Sequence, residues 1–220
     1  DARELTGVIL AGGASRRMGG QDKGLVLFRG RPLVAWVIEA LAPQVDEVLI
    51  VANRHLEHYR AWGYRVVSDV RPDFPGPLAG FEAALLAASH NWILTCPTDA
   101  PGLPPEYACL MRRATSASSA VALVEGHWQP VFSLLPKTAL PSLQASLNTG
   151  ERGAQRWLAT LAPALVSLDQ HAARLRDADS LEELVEKKYL RALPVDPLTE
   201  SSATWTLLPP EEGIKGKVRD

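Results

Sequence analysis

Residues 6–23 read TGVILAGGASRRMGGQDK. The apolar run ends at Leu10 and gives way at once to Ala11-Gly12-Gly13, the pattern of a buried strand that delivers its end to a loop approaching something closely. The loop then carries Arg16, Arg17 and Lys23 among further glycines. Glycines let backbone N–H groups close on phosphate oxygens and the cations neutralise the charge, so strand and loop together form a polyphosphate cradle. A solvated basic loop would have the same composition, but the strand directly in front of it favours the cradle. No Gly-Lys pair is followed by Ser or Thr and no G-x-G-x-x-G spacing occurs, which weakens kinase and dehydrogenase readings. With no hydroxyl placed for Mg²⁺, the loop has to obtain its metal ligand elsewhere in the chain.

Beyond the loop, Pro32 suits the first turn of a helix over LVAWVIEAL, in which Leu33, Val34, Val37, Ile38 and Leu41 share one face at 3.6-residue spacing. Apolar runs at 48–52, 66–68, 92–96, 121–124 and 131–135 read as strands, with helical stretches at 55–62, 78–89, 105–114 and 155–161 between most of them. The alternation predicts a three-layer α/β fold with a mostly parallel sheet and a ligand site beyond the carboxyl ends of its strands. The runs at 121–124 and 131–135 break it: separated by Gly126-His127-Trp128-Gln129, they suit a hairpin or an antiparallel excursion.

Ser180-Leu181-Glu182-Glu183 has the form of a capping box and opens a last helix, LEELVEKKYLRAL. After it, PVDPLTESSATWTLLPPEEGIKGKVRD carries four prolines and no sustained periodicity. The expected organisation is one domain over residues 1–192 and a Pro-rich tail over 193–220.

A chain of 220 residues with 46% hydrophobic content can bury one substantial core. Its 23 basic and 25 acidic residues leave a net charge of −2, so no global positive field exists to hold a nucleic-acid backbone or an anionic membrane. Neither partner is expected. Cys96 and Cys109 form no C-x-x-C pair, which argues against a disulfide framework or a zinc knuckle. No apolar run approaches the ~20 residues of a membrane helix, and DARELTGVIL lacks a signal-peptide layout. A reducing cytoplasm is the expected location.

Among the carboxylates, Asp99 stands in CPTDAP directly after the run 92–96, on the ligand side of the sheet. One well-placed Asp beside substrate phosphates suffices to start a Mg²⁺ site; a turn cap between prolines is the alternative. Asp177 and Asp179 flank Ala178 and would point the same way in an extended segment, so Asp179 is a candidate second metal ligand, or else it favours the N-terminus of the next helix. Asp69 follows the run ending at Ser68 and is placed to accept hydrogen bonds from a base or ribose. Arg152 and Arg156, four apart, suit one helix face gripping an anion or a solvated face. His55 and His58 lack further ligands for a metal pair, and Cys96 reads as a core residue.

These motifs together resemble the molybdenum cofactor guanylyltransferases of the MobA type. The likeness runs in order through LAGGASRRMGGQDKGL at 10–25, ANRHLEHY at 52–59, Asp69, PGPLAG at 75–80, CPTDAPGLPP at 96–105, QPVFSL at 129–134 and GER at 150–152. It implies a Rossmann-like α/β/α nucleotidyltransferase fold. It also implies that Leu10, Ala11, Gly12 and Gly13, with Lys23, hold GTP, that Asn53 and Asp69 contact the nucleotide, and that Asp99 binds Mg²⁺. LAGG and PGPLAG favour guanine over cytosine in that family.

The implied reaction is attack by the terminal phosphate of molybdopterin on the α-phosphorus of GTP, with Lys23, Arg17 and Asp99 as the catalytic set. A molybdoenzyme or cofactor-delivery protein would receive the product. The family's N-x-N-T-P-E-x-L signature is departed from: here Asp177-Ala178-Asp179-Ser180-Leu181-Glu182-Glu183-Leu184 puts acids where amides are usual. A related transferase using CTP or a sugar phosphate, and a non-catalytic protein that binds GTP or the cofactor for delivery, are the two alternatives.

Overall fold

The computed structural model describes residues 4–11, 22–71, 76–114 and 119–175. In chain order its strands and helices are β1 (Leu5–Leu10), β2 (Leu27–Phe28), β3 (Arg31–Pro32), α1 (Leu33–Leu41), β4 (Glu47–Val51), α2 (Leu56–Arg60), β5 (Arg65–Val67), α3 (Pro77–Ala87), β6 (Trp92–Pro97), α4 (Tyr107–Arg113), β7 (Ala120–Val124), β8 (His127–Pro136), α5 (Leu140–Asn148), α6 (Ala154–Thr160), β9 (Ala164–Ser167) and α7 (Ala172–Leu175). Seven strands form one sheet in the order β5-β4-β1-β6-β8-β7-β9, and β2 and β3 form a separate ribbon. Only β8 runs against its neighbours in the large sheet; the pairs β5·β4, β4·β1, β1·β6 and β7·β9 are parallel.

Period-2 alternation along the central strands divides the core into two layers. Leu5 and Ile9 of β1 pack with Val34, Val37 and Leu41 of α1 and with Tyr107 and Met111 of α4. Val8 and Leu10 turn the other way, toward Phe81 and Leu85 of α3, Leu143 and Leu147 of α5 and Trp157 of α6. With both faces covered by helices, the central parallel strands are mostly apolar and buried, and β1 is buried at all six positions. This is the mostly parallel, three-layer α/β/α arrangement that the sequence predicts.

The hairpin is present and tighter than the apolar runs suggest. Strand β8 starts at His127, and the turn is Glu125-Gly126, both with positive φ (51° and 76°), the geometry of a two-residue type I′ connection. The pairing then slips. Val121 faces Ser133 but Ala122 faces Gln129, so Pro130, Val131 and Phe132 bulge out of the ladder.

Helix α5, strand β9 and the β2–β3 ribbon have no counterpart in the sequence reading. LPSLQASLN keeps its apolar positions at 140, 143 and 147 but dilutes them with Pro141, two serines and an asparagine, and β9 is four residues with a single buried side chain. Helix α1 starts at Leu33 with Pro32 as its N-cap, so Pro32 precedes the first turn that it was expected to occupy. The helix expected from Ser180 and the boundary at 192/193 lie outside the described residues.

Candidate functional site

A cleft opens beyond the carboxyl ends of β1, β4 and β6, where a doubly wound sheet places its ligand. Leu10 and Ala11 close β1 at its floor, Val51 closes β4, and Pro97, Thr98 and Asp99 leave β6 along one side. Asp22 and Lys23 line it from the far end of the glycine-rich loop; Asp69, Gly76, Pro77 and Gly80 form the opposite wall, and Val131 reaches in from the β8 bulge.

Lys23 is aimed by its neighbours. Asp22 caps a 3-10 turn over Lys23–Leu25, its Oδ1 accepting from the Gly24 amide at 3.1 Å and from the Tyr59 hydroxyl at 2.7 Å. Tyr59 is fully buried, and burial, reinforced by the Asp22 carboxylate, raises its phenol well above the ordinary range. Gly24 is pressed against this anchor: a Cβ there would lie 2.5 Å from the Tyr59 hydroxyl oxygen and 2.9 Å from Thr98 Cβ. The turn can approach β6 this closely only because the residue has no side chain. The result is Lys23 Nζ 3.2 Å from Asp99 Oδ2.

Across the cleft, Asp69 and Asn53 hold each other by two hydrogen bonds. Asn53 Nδ2 donates to Asp69 Oδ2 at 2.7 Å, and the Asp69 amide donates to Asn53 Oδ1 at 2.9 Å. Burial raises the Asp69 carboxyl above its ordinary value, the Asn53 hydrogen bond opposes this, and the nearby Glu82 charge adds to the rise. Gly76 (φ 143°) caps α3, with Pro77 in its first turn. The amino end of that 11-residue helix, the positive end of its dipole, therefore borders the cleft.

Chemically the cleft combines a lysine and a helix amino end, which suit anions, with a carboxylate on each wall. Asp99 is 12% exposed at its side chain and shares one oxygen with Lys23. No group of three or more His, Cys, Asp or Glu forms a metal cage among the described residues. An ion of the Mg²⁺ type needs only one or two protein carboxylates when it arrives on phosphates, so Asp99 suits a metal that enters with an anionic ligand.

The structure brings Leu10, Ala11, Lys23, Asp69 and Asp99 together around this cleft, with Asn53 attached through Asp69. Gly12, Gly13, Arg16, Arg17, Asp177 and Asp179 lie outside the described residues. Arg152 and Arg156 do not share a helix face: Arg152 precedes α6, and Arg156, 80% exposed, pairs with Glu151 at 3.4 Å. The Gly150-Glu151-Arg152-Gly153 turn breaks the spacing, because Glu151 accepts from the Arg152 and Gly153 amides and holds the chain out of the helix. His55 and His58 meet edge to face at 5.9 Å. Cys96 is buried, and burial raises its thiol far above the ordinary range.

Asp22, Tyr59, Thr98 and Val131 were missed as parts of the site. Asp22 has a local signal, an Asp directly before Lys-Gly that can cap a turn. Tyr59 and Val131 reach the site only through tertiary packing.

Residues 7–170 match the family model described as the MobA-like NTP transferase domain. A Pseudomonas putida protein named molybdenum cofactor guanylyltransferase is 42% identical over 187 residues, covering 84% of this chain and 98% of that protein. Among solved structures, molybdopterin-guanine dinucleotide biosynthesis protein A from Archaeoglobus fulgidus superposes with a TM-score of 0.66 at 19% identity, over 84% of this chain and 97% of that one. A Mycobacterium tuberculosis protein solved in complex with manganese gives 0.60 at 16% identity, over 84% and 97%.

Proposed function

We infer the function of this chain from the family to which it belongs, the MobA-like NTP transferases. It is a molybdenum cofactor guanylyltransferase, a nucleotidyltransferase that moves GMP from GTP to the terminal phosphate of molybdopterin. The reading is supported by a relative of that name matched over 98% of its length. The observation that carries it in this chain's own geometry is the Lys23–Asp99 pair at 3.2 Å, held at the strand ends between a floor of Leu10 and Ala11 and a wall of Asp69.

A phosphate oxygen of the pterin forms a bond to the α-phosphorus of GTP while the bridging oxygen to the β-phosphorus leaves with pyrophosphate. The nucleophile is already ionised, so no general base is needed; the protein's task is alignment and neutralisation of charge. Lys23 meets the triphosphate from one side, joined by Arg17 and the N–H groups of Gly12 and Gly13. Asp69 and Asn53 hold the nucleoside end.

A divalent ion, Mg²⁺ in our reading, would be held by Asp99, with Asp179 as its second carboxylate, and would supply Lewis-acid neutralisation of the phosphates. Lys23 now occupies one oxygen of Asp99; transfer of that lysine to phosphate would release the carboxylate.

We place the protein in the cytoplasm, with its product passing to a molybdoenzyme or a delivery protein. Among the described residues no helix is long and apolar enough to cross a membrane.

The test is to incubate purified protein with Mg²⁺, GTP and molybdopterin and follow pyrophosphate release and the guanine dinucleotide product, with CTP in parallel. Product from GTP, with CTP clearly poorer, is expected. Tight GTP binding without product would reduce the protein to a binding function.

A further inference from the structure

Two residues downstream of Asp69 stands Arg71, and two residues downstream of Gly80 stands Glu82. Asp69 and Gly80 adjoin each other on one wall of the nucleotide cleft: a Cβ on Gly80 would lie 3.9 Å from Asp69 Oδ1, while Asp69 Oδ2 is taken by Asn53. Arg71 and Glu82 join the same two segments again. Arg71 Nε donates to Glu82 Oε2 at 2.7 Å and Nη2 donates to Oε1 at 3.1 Å, a bidentate pair in which the Glu82 side chain is 2% exposed.

Both partners are also tied to α5. Arg71 Nη1 donates to Asn148 Oδ1 at 2.9 Å, and Gln144 Nε2 donates to Glu82 Oε1 at 3.2 Å. Glu82 is buried while the Arg71 side chain is 27% exposed, and such a pair is a poor device for stability alone, because desolvation of the carboxylate offsets much of the attraction. Its two parallel hydrogen bonds fix distance and orientation in a way that apolar packing does not.

We propose that Arg71 and Glu82 are positioning residues of the nucleotide site, their bidentate pair setting the spacing between the Asp69 carboxylate and the α3 wall at Gly80. This rests on the reading of the cleft as a GTP site. Neither residue is among those that line the cleft; the pair acts by holding Asp69 Oδ1 open toward the cleft at a fixed height above α3. Its loss lets the segment after β5 shift and carries the Asp69 carboxylate off the position in which it holds the nucleotide, so binding weakens alike in the ground state and the transition state.

Arg71→Lys keeps the charge and the aliphatic stem but loses the fork, and Arg71→Met/Glu82→Met replaces the pair by apolar packing that retains the fold. Both variants are compared with the full-length wild type by GTP calorimetry, steady-state kinetics and thermal melting. The expected result is a rise on the order of 10-fold in the Kd and KM for GTP, with kcat and the KM for molybdopterin within about 2-fold.

A merely structural pair would instead lower the melting temperature and the active fraction and leave the KM for GTP unmoved, and that result overturns the proposal. A wild type that binds no GTP removes the nucleotide reading itself, and the proposal with it. A wild type that binds GTP, beside folded variants that bind it equally well, removes the proposal alone.

Discussion

Lys23 Nζ lies 3.2 Å from Asp99 Oδ2, bridging the end of the glycine-rich loop and the turn after β6. Two segments that are 76 residues apart in the chain meet there because β1 and β6 are parallel neighbours in register from Leu5↔Trp92 to Leu10↔Pro97. Both strands therefore release their loops at the same edge of the sheet. If Asp99 is the main metal ligand, Asp99→Ala lowers kcat by about 10²-fold or more, and Asp179→Ala lowers it less. Pyrophosphate release assayed over a Mg²⁺ titration decides this; equal losses would mean that both carboxylates hold the metal.

Gly24 sets how close the Lys23 turn comes to β6. Since a Cβ there would meet the Tyr59 hydroxyl oxygen at 2.5 Å and Thr98 Cβ at 2.9 Å, Gly24→Ala has to push the turn outward and carry Lys23 away from Asp99. We expect kcat/KM for GTP to fall by roughly 10²-fold, the cost of misplacing a catalytic group by about 1 Å. Tyr59→Phe removes one of the two donors on Asp22 Oδ1 and should destabilise the fold by about 1–3 kcal/mol. Urea melts of the second variant and kinetics of the first are the measurements. Unchanged kinetics in Gly24→Ala would show that Lys23 is not held by this turn.

Asp69 carries a pH signature whose sign follows from its raised carboxyl. The folded state holds this proton more tightly than the unfolded chain does, so stability is greatest with Asp69 protonated. It declines as pH rises from the ordinary value of 3.8 through the higher folded value. Asp69→Asn mimics the protonated form and can still accept from Asn53 Nδ2. Its melting temperature at neutral pH should equal or exceed that of the wild type, the difference closing as pH falls below 3.8, while its GTP affinity drops. A less stable variant at neutral pH would refute the assignment of burial as the dominant influence on this carboxylate.

The sequence makes the strand and loop framework legible because each signal is local. An apolar run that ends in Ala11-Gly12-Gly13 announces a strand and its loop, and Leu33 to Leu41 announces a one-sided helix. Lys23 and Asp99 were readable as separate charges at two strand ends, yet their meeting depends on the strand order, which no local pattern encodes. Arg71 and Glu82 are harder still. In sequence Glu82 is one acid in a helix that is otherwise apolar, PLAGFEAALLA, and only the approach of Arg71 and Gln144 from two other segments gives it partners. Arg152 and Arg156 failed for a related reason: four-residue spacing implies a shared face only inside a helix, and α6 begins at Ala154.

The β8 bulge gives the last prediction, through a residue that lines no cleft. Thr95 of β6 is fully buried, and its Oγ1 donates to the Val131 carbonyl at 2.8 Å and accepts from the Ser133 amide at 3.1 Å. Ser133 Oγ in turn donates to the Pro130 carbonyl at 2.7 Å. These bonds supply partners to backbone groups that the slip between Val121 and Ala122 removes from the β7·β8 ladder, and they hold Val131 where it borders the cleft. Thr95→Val keeps the shape but strands a donor and an acceptor in the core, a cost of about 2–4 kcal/mol if neither is rescued by water. Thr95→Ser retains the hydroxyl and should recover most of it. The bulge also sets the cleft wall, so Thr95→Val should weaken GTP or pterin binding beyond what its stability loss explains, as read from Kd values on protein kept well below its melting temperature. Equal affinities in Thr95→Val and wild type would mean that Val131 keeps its place without the threonine.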